Sequence, residues 1–126
     1  MIYGIGTDIL DIKRIAYLYE RYGDALPRRI LHEDEWVIFS GSQDKIRFLA
    51  KRFAAKEAFS KAVGTGIREP VSLRHIAVAH NELGKPEFVC APELRFFLSE
   101  CGIHSVHLSL SDEKDCVLAF AIAEAA

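Results

Sequence analysis

The chain has 126 residues, 50% of them hydrophobic, enough apolar side chain for one domain with its own core across residues 1–126. Charged residues make up 27% and the formal net charge is -2, which argues against nucleic-acid binding, a function that usually shows as a strongly basic domain. No apolar run approaches a membrane span, Met1–Gly6 lacks a leader pattern, and Cys90, Cys101 and Cys116 read as buried free thiols, so a compact cytoplasmic protein with no membrane partner is expected.

Ile2 to Thr7 alternates large apolar residues with glycine, the pattern of a short strand. Gly4 and Gly6 leave one face bare, so another backbone or a ligand can approach closely. The third glycine of a dinucleotide loop is missing. Asp8 follows, ahead of a helical pattern through Ile12, Ile15, Tyr19 and Tyr22. Two roles compete for its oxygens: helix N-cap, with Asp11 as a partial capping box, or a strand-end carboxylate open to a hard cation. The outer face of this helix carries Lys13, Arg14, Glu20 and Arg21, and Arg28 and Arg29 follow beyond Gly23 and Pro27. A charge run is usually a solvated face. Its positive excess in a slightly acidic chain points to steering of an acidic partner.

His32 to Phe39 reads as a short helix with Glu33, Asp34 and Glu35 in its first turn, where negative charge suits the dipole. Ser40–Gln43 is a loop. The next stretch, Arg47 to Gly66, is the centre of the chain: alanine, leucine, lysine, arginine and glutamate dominate it, and Gly64 supplies a left-handed stop. Ile46, Leu49, Ala50 and Phe53 share one arc, whereas Phe48, Ala55, Phe59 and Ala62 share the opposite one. A helix apolar on two sides lies between two layers. Glu57 falls inside the first apolar arc, between the directions of Ile46 and Ala50. A carboxylate facing a core costs several kcal/mol unless a cation or metal meets it. Lys61, one turn on, is the local partner for an ordinary i,i+4 pair of about 0.2–0.5 kcal/mol, with Arg52 and Lys56 on a neighbouring stripe. The other reading is a metal or phosphate site, which requires a second carboxylate.

Ile67–Ser72 is irregular, broken by Pro70. The second half is rich in strands: His75–Ala79, a turn through Asn81–Pro86, then Glu87–Cys90. Pro92 opens a helix with Leu94, Phe97, Leu98 and Cys101 on its core side and Gly102 at its end. Val106, Leu108 and Leu110 alternate with Ser105, His107, Ser109 and Ser111. In the last strand Cys116, Leu118, Phe120 and Ile122 share one face and alanines dominate the other, which suits close packing on a helix or an oligomer interface. The expected fold is α+β, an antiparallel sheet wrapped on a long central helix.

Gly4-Ile5-Gly6-Thr7-Asp8-Ile9, the run from Phe48 to Ala58 through Lys56-Glu57, Gly64-Thr65-Gly66-Ile67 and Gly84-Lys85-Pro86 together resemble the holo-[acyl-carrier-protein] synthases, the small bacterial 4′-phosphopantetheinyl transferases. The resemblance covers essentially the whole chain, and the central run is its most specific part. It implies transfer of 4′-phosphopantetheine from coenzyme A to a serine of apo acyl carrier protein, releasing adenosine 3′,5′-bisphosphate. It further implies Mg²⁺ held by Asp8 and Glu57, a homotrimer with sites between subunits, and an acidic carrier docking on the first helix at Lys13, Arg14 and Arg21. Lys61 then reaches an oxygen on the same metal, Arg52 meets the 3′-phosphate, and Ser60, Gly64, Lys85 and Pro86 match positions lining the coenzyme pocket. Many members carry His directly after the last Ser or Thr of the Ser109-x-Ser111 strand. This chain has Asp112, an anion that cannot donate to a phosphate, and His107 reads as a surface histidine.

The chemistry agrees with the residues. Mg²⁺ takes one or two carboxylates plus phosphates and waters, and the leaving phosphate needs charge neutralisation. No residue is an evident general base for the serine, which leaves a metal-bound water or a carboxylate such as Glu57. Two other functions use part of the pattern. A non-catalytic oligomeric module binding acidic proteins keeps the basic helix but has no use for Asp8 or Glu57, and a Mg²⁺-dependent nucleotide hydrolase needs no carrier.

Overall fold

In the computed structural model, which describes residues 1–126, a single helix, α4 (Lys45–Val63), runs through the middle of the molecule. Asp44 caps it by accepting from the Arg47 backbone nitrogen at 3.0 Å, and Gly64 ends it in a left-handed conformation with φ of 93°. Leu49, Ala50, Ala54, Ala55, Ala58, Phe59 and Ala62 are buried on different sides of it, as the two apolar arcs require.

One side is covered by an antiparallel three-stranded sheet in the order β1 (Ile2–Asp11), β5 (Cys116–Ala125), β4 (Ile103–Asp112). The inner face of β5 is Val117, Ala119, Ala121 and Ala123, all fully buried, and Gly6 pairs with Ala121 beside them. The two glycines of β1 are there for helix α4 and not for a ligand. A Cβ at Gly4 would overlap the Ala62 carbonyl oxygen, and one at Gly6 the Ala58 carbonyl oxygen. Small residues on both strands thus let a helix backbone sit almost directly on the sheet.

The other side carries α1 (Ile12–Tyr22), α2 (Ala25–Ile30), a 3₁₀ turn at Glu33–Glu35, α3 (Trp36–Gly41) and a two-stranded sheet of β2 (Ile76–His80) and β3 (Pro86–Cys90). The Phe88 ring meets Phe59 edge-on at 4.9 Å and closes this sheet onto α4. Helix α5 (Pro92–Glu100) buries Leu94 and Leu98. The α+β architecture matches the expectation. Two local readings do not, and one short helix goes beyond them. Residues 25–30 form a helix, tolerated because Pro27 sits in its first turn. The predicted helix His32–Phe39 is a 3₁₀ turn followed by α3, which continues through Ser40 and Gly41. And β1 runs on past Thr7 to Asp11.

The outer face of the three-stranded sheet has no cover. Ile5, Ile9, Leu118 and Phe120 lie exposed on it, bordered by Ser109, paired with Phe120, and His107, paired with Ile122. His107 is itself held by Glu124, Nε2 to Oε1 at 2.9 Å.

Candidate active site

Because β1 extends to Asp11, the capping of α1 falls to Asp11, whose Oδ1 accepts from the Lys13 nitrogen at 2.9 Å. The N-cap role considered for Asp8 is therefore corrected: Asp8 is a strand residue opposite Ala119, and its carboxylate is free for other partners. One of them is Lys61, whose Nζ lies 3.3 Å from Asp8 Oδ1 and donates to the Thr7 carbonyl at 2.9 Å. The local Glu57–Lys61 pair does not form. The lysine reaches across to the strand, and Glu57 is left half-buried without a salt-bridge partner within 4.0 Å.

Glu57 holds its proton more tightly than an ordinary carboxyl. Burial is the first cause and the neighbouring Asp8 charge the second, against the opposite pull of Lys61 and Arg14. Two carboxylates near enough to repel, with two cations at their edge, are the feature the sequence reading required of a cation site. No third His, Cys, Asp or Glu joins them as a metal cluster. The donor set is thus two hard oxygen ligands, which suits a hard divalent cation completing its shell with waters and ligand oxygens and does not suit a closed zinc cage.

Glu57 also stands at one edge of a cavity of about 540 Å³ between α1, α2 and α4. The cavity is mainly apolar, with Leu18, Leu26 and Phe53 on its walls and Arg14 and Arg29 at its charged margin. Arg14 therefore belongs both to the basic surface and to the carboxylate site. Lys13 and Arg21 are exposed on the same helix, and Arg21 is propped by the Tyr17 hydroxyl at 3.2 Å and by the Tyr22 ring.

The remaining candidates lie elsewhere. Ser60 is fully buried and donates to the Glu57 carbonyl at 2.7 Å, so its hydroxyl is spent on the helix. Arg52 is buried, its Nε 3.0 Å from Glu35 Oε2 and its guanidinium stacked 4.3 Å from the Phe48 ring. Gly64 is exposed at the end of α4, and Lys85 and Pro86 are at the β2–β3 turn, where Asn81 Oδ1 accepts from the Lys85 nitrogen at 2.9 Å. None of these lines the cavity beside Glu57. Asp112 is paired with Arg47 at 2.9 Å, and Arg47 also donates to the Glu113 and Lys114 carbonyls, fastening the β4–β5 turn to α4.

Sequence reasoning missed a buried ionic cluster behind the site. Glu35 is almost wholly buried and accepts from Lys56 Nζ, from the His32 nitrogen at 2.9 Å and from the Val78 nitrogen at 3.0 Å. Lys56 is completely buried, and burial pulls its ammonium down to about 8 despite Glu35 beside it. Two signals pointed to this: His32-x-x-Glu35 has capping-box spacing, and a helix apolar on two sides offers Lys56 no wide solvent face.

Comparison with known proteins adds to this geometry. Residues 4–121 match the model of the 4′-phosphopantetheinyl transferase superfamily. A holo-[acyl-carrier-protein] synthase of Neisseria meningitidis serogroup A is 57% identical over 124 residues, covering 98% of this chain and 99% of that protein. The crystal structure of the Neisseria meningitidis holo-[acyl-carrier-protein] synthase superposes with a TM-score of 0.97 at 56% identity, over 98% of this chain and 99% of the other. That of Bacillus anthracis, in complex with coenzyme A (3′,5′-ADP), superposes with a TM-score of 0.83 at 38% identity, over 100% and 99% of the two chains.

Proposed function

We infer the reaction from one premise: the chain belongs to the 4′-phosphopantetheinyl transferase superfamily and, within it, to the holo-[acyl-carrier-protein] synthases. It moves 4′-phosphopantetheine from coenzyme A to a serine hydroxyl of an apo acyl carrier protein of fatty acid biosynthesis, in the cytoplasm. The serine oxygen bonds to the β-phosphorus, the bond from that phosphorus to the bridging oxygen breaks, and adenosine 3′,5′-bisphosphate leaves with that oxygen. The serine proton passes to water or to a carboxylate such as Glu57 as the new ester forms. The observation that carries this reading is the approach of Asp8, from the sheet, to Glu57, from the central helix, with Lys61 between strand and helix.

Asp8 and Glu57 are the residues that would hold Mg²⁺, and the ion would supply charge neutralisation on the pyrophosphate. Lys61, already fixed on Asp8 and the Thr7 carbonyl, keeps a further N–H for a phosphate oxygen. The apolar cavity beside Glu57 excludes water from the reacting end of the substrate. Lys13, Arg14 and Arg21 draw in the acidic carrier, and Gly64, Lys85 and Pro86 border the coenzyme. The test is mass spectrometry of an apo carrier protein incubated with this protein, coenzyme A and Mg²⁺. The expected result is a phosphopantetheine mass on the serine. An unmodified carrier ends the reading, and cleavage of coenzyme A with no carrier present replaces it with a hydrolase.

The bare apolar face of Ile5, Ile9, Leu118 and Phe120 supports assembly into a homotrimer, with the coenzyme between subunits. Phe120→Asp puts a charge on that face, and sedimentation is expected to show monomers of 14.2 kDa where the parent shows a trimer. An unchanged sedimentation coefficient places the interface elsewhere. For the carrier surface, Arg21→Glu is a cleaner probe than Arg14→Glu, because Arg14 also acts on Glu57. Arg21→Glu is expected to raise KM for the carrier about fivefold, as reversal of a rim charge does, with KM for coenzyme A unchanged. Equal carrier KM values would take α1 out of the interface.

A further inference from the structure

Two of the walls of the cavity beside Glu57 come from different parts of the chain. One is α2, contributing Leu26, Arg29 and Ile30; the other is α4, contributing Phe53 and Glu57. Behind the cavity they are joined by one side chain. Lys56, the covalent neighbour of Glu57, donates from Nζ to the carbonyl of Ile30, the last residue of α2, at 2.7 Å. The same ammonium is held by Glu35, which also binds the His32 and Val78 nitrogens and pairs with Arg52. A single carboxylate thus ties the end of α2, the middle of α4 and strand β2 to one point.

Stability alone is a poor reason for such a cluster. Two cations and one carboxylate are buried together, and groups of this kind are commonly replaced by apolar side chains with no loss of stability. Apolar packing would also fill the space, but it is not directional. A lysine donating to one carbonyl and one carboxylate oxygen specifies where the α2 terminus stands relative to α4. Resting on the transferase reading above, we infer that Glu35, through Lys56, is a positioning residue that sets the spacing between the α2 wall of the cavity and the Glu57 carboxylate.

Lys56→Met keeps the length of the side chain, leaves Glu35 its backbone donors and Arg52, and removes the link to Ile30. Two measurements on the full chain decide the matter. Hydrogen exchange of the Ile30 and Leu31 amides is expected to be faster by about tenfold or more, as for an element released into local opening. Transfer per folded molecule is expected to fall by about tenfold or more, since a displacement of about 1 Å at a reacting geometry has effects of that order, with KM for coenzyme A within about threefold. Should Lys56→Met not fold, Glu35→Gln, whose single amide oxygen can accept from the His32 or the Val78 nitrogen but not from both, is read in the same two ways. Unchanged exchange overturns the bridge. Faster exchange with unchanged kcat shows a brace for α2 with no influence on Glu57, and overturns the positioning role. If the parent itself transfers nothing, it is the transferase reading that has failed, while the exchange measurement still reports on the bridge.

Discussion

Glu57→Gln is expected to lower phosphopantetheine transfer by about a thousandfold or more and to leave the melting temperature nearly where it was. Glutamine keeps the shape of the side chain and loses its charge. A carboxylate that holds the divalent ion contributes several kcal/mol of transition-state stabilisation through it, at about 1.36 kcal/mol per factor of ten. The stability half of the prediction follows from the direction in which Glu57 titrates. Its folded-state value is raised above the ordinary 4.5, by burial and then by Asp8. A raised acid binds its proton more tightly folded than unfolded, so its contribution is most favourable below the ordinary value and is lost as the pH climbs through the raised one. At neutral pH the ionised group opposes folding, and its removal costs the fold nothing. Melting curves across pH should therefore show the variant holding level with or above the parent at pH 7, and losing that advantage below about 4.5. Asp8→Asn should match it in activity. Lys61 keeps the Thr7 carbonyl, and Glu57 is relieved of a neighbouring charge. A collapse in melting temperature of both variants would make the two carboxylates structural and would remove the ion from the mechanism.

The part of this site that could be read from the sequence was the part governed by periodicity. Glu57 stood out because a 3.6-residue repeat put it among apolar neighbours, and Asp8 because it ended a strand whose alternation was clear. Side chains whose partners are remote were not legible in the same way. Lys61 was assigned to Glu57 by helical spacing, yet its ammonium bonds a strand 53 residues away. Arg52 and Lys56 fall on a stripe beside Glu57 with no partner in view, because Glu35, 21 residues before Lys56, reads as an ordinary first-turn acid. Each residue taken alone has a bland explanation. Only the stacking of the 3₁₀ turn against α4 turns three surface-type residues into a buried cluster. The short α2 escaped for another reason: six residues are too few to display a period, and Pro27 reads as a break unless its place in the first turn is known. The bare sheet face was legible, but not what it meets. Leu118 and Phe120 alternate with alanines as plainly as any strand, and it is the alanines that face α4.

Gly6→Ala is expected to be the most damaging single methyl group in the molecule. Neither Gly4 nor Gly6 has a positive φ, so the backbone itself would accept alanine; what forbids it is space. The added carbon would overlap the Ala58 carbonyl oxygen and stand 2.6 Å from the Ala62 nitrogen and 2.8 Å from Lys61 Cβ. The first two belong to the backbone of α4 and cannot rotate away, so relief requires lifting the helix off β1. Overpacking of a core costs about 1–3 kcal/mol and occasionally more, and rigid obstacles put this site at the upper end. For a chain of this length that corresponds to a fall of about 10 °C in melting temperature or more. The folded remainder should also be a poor enzyme, because the displacement that accommodates the methyl separates Asp8, on the strand, from Glu57 and Lys61, on the helix. Gly41→Ala is the control: its Cβ would meet nothing within 4 Å in a helix of ordinary φ, and alanine there is expected to be neutral or to gain about 0.5–1 kcal/mol. Calorimetry and transfer assays on the pair separate the two effects. A Gly6→Ala protein that melts with its parent and turns over at the same rate would mean that α4 and β1 are not in backbone contact, and the convergence of the two carboxylates would lose its structural basis.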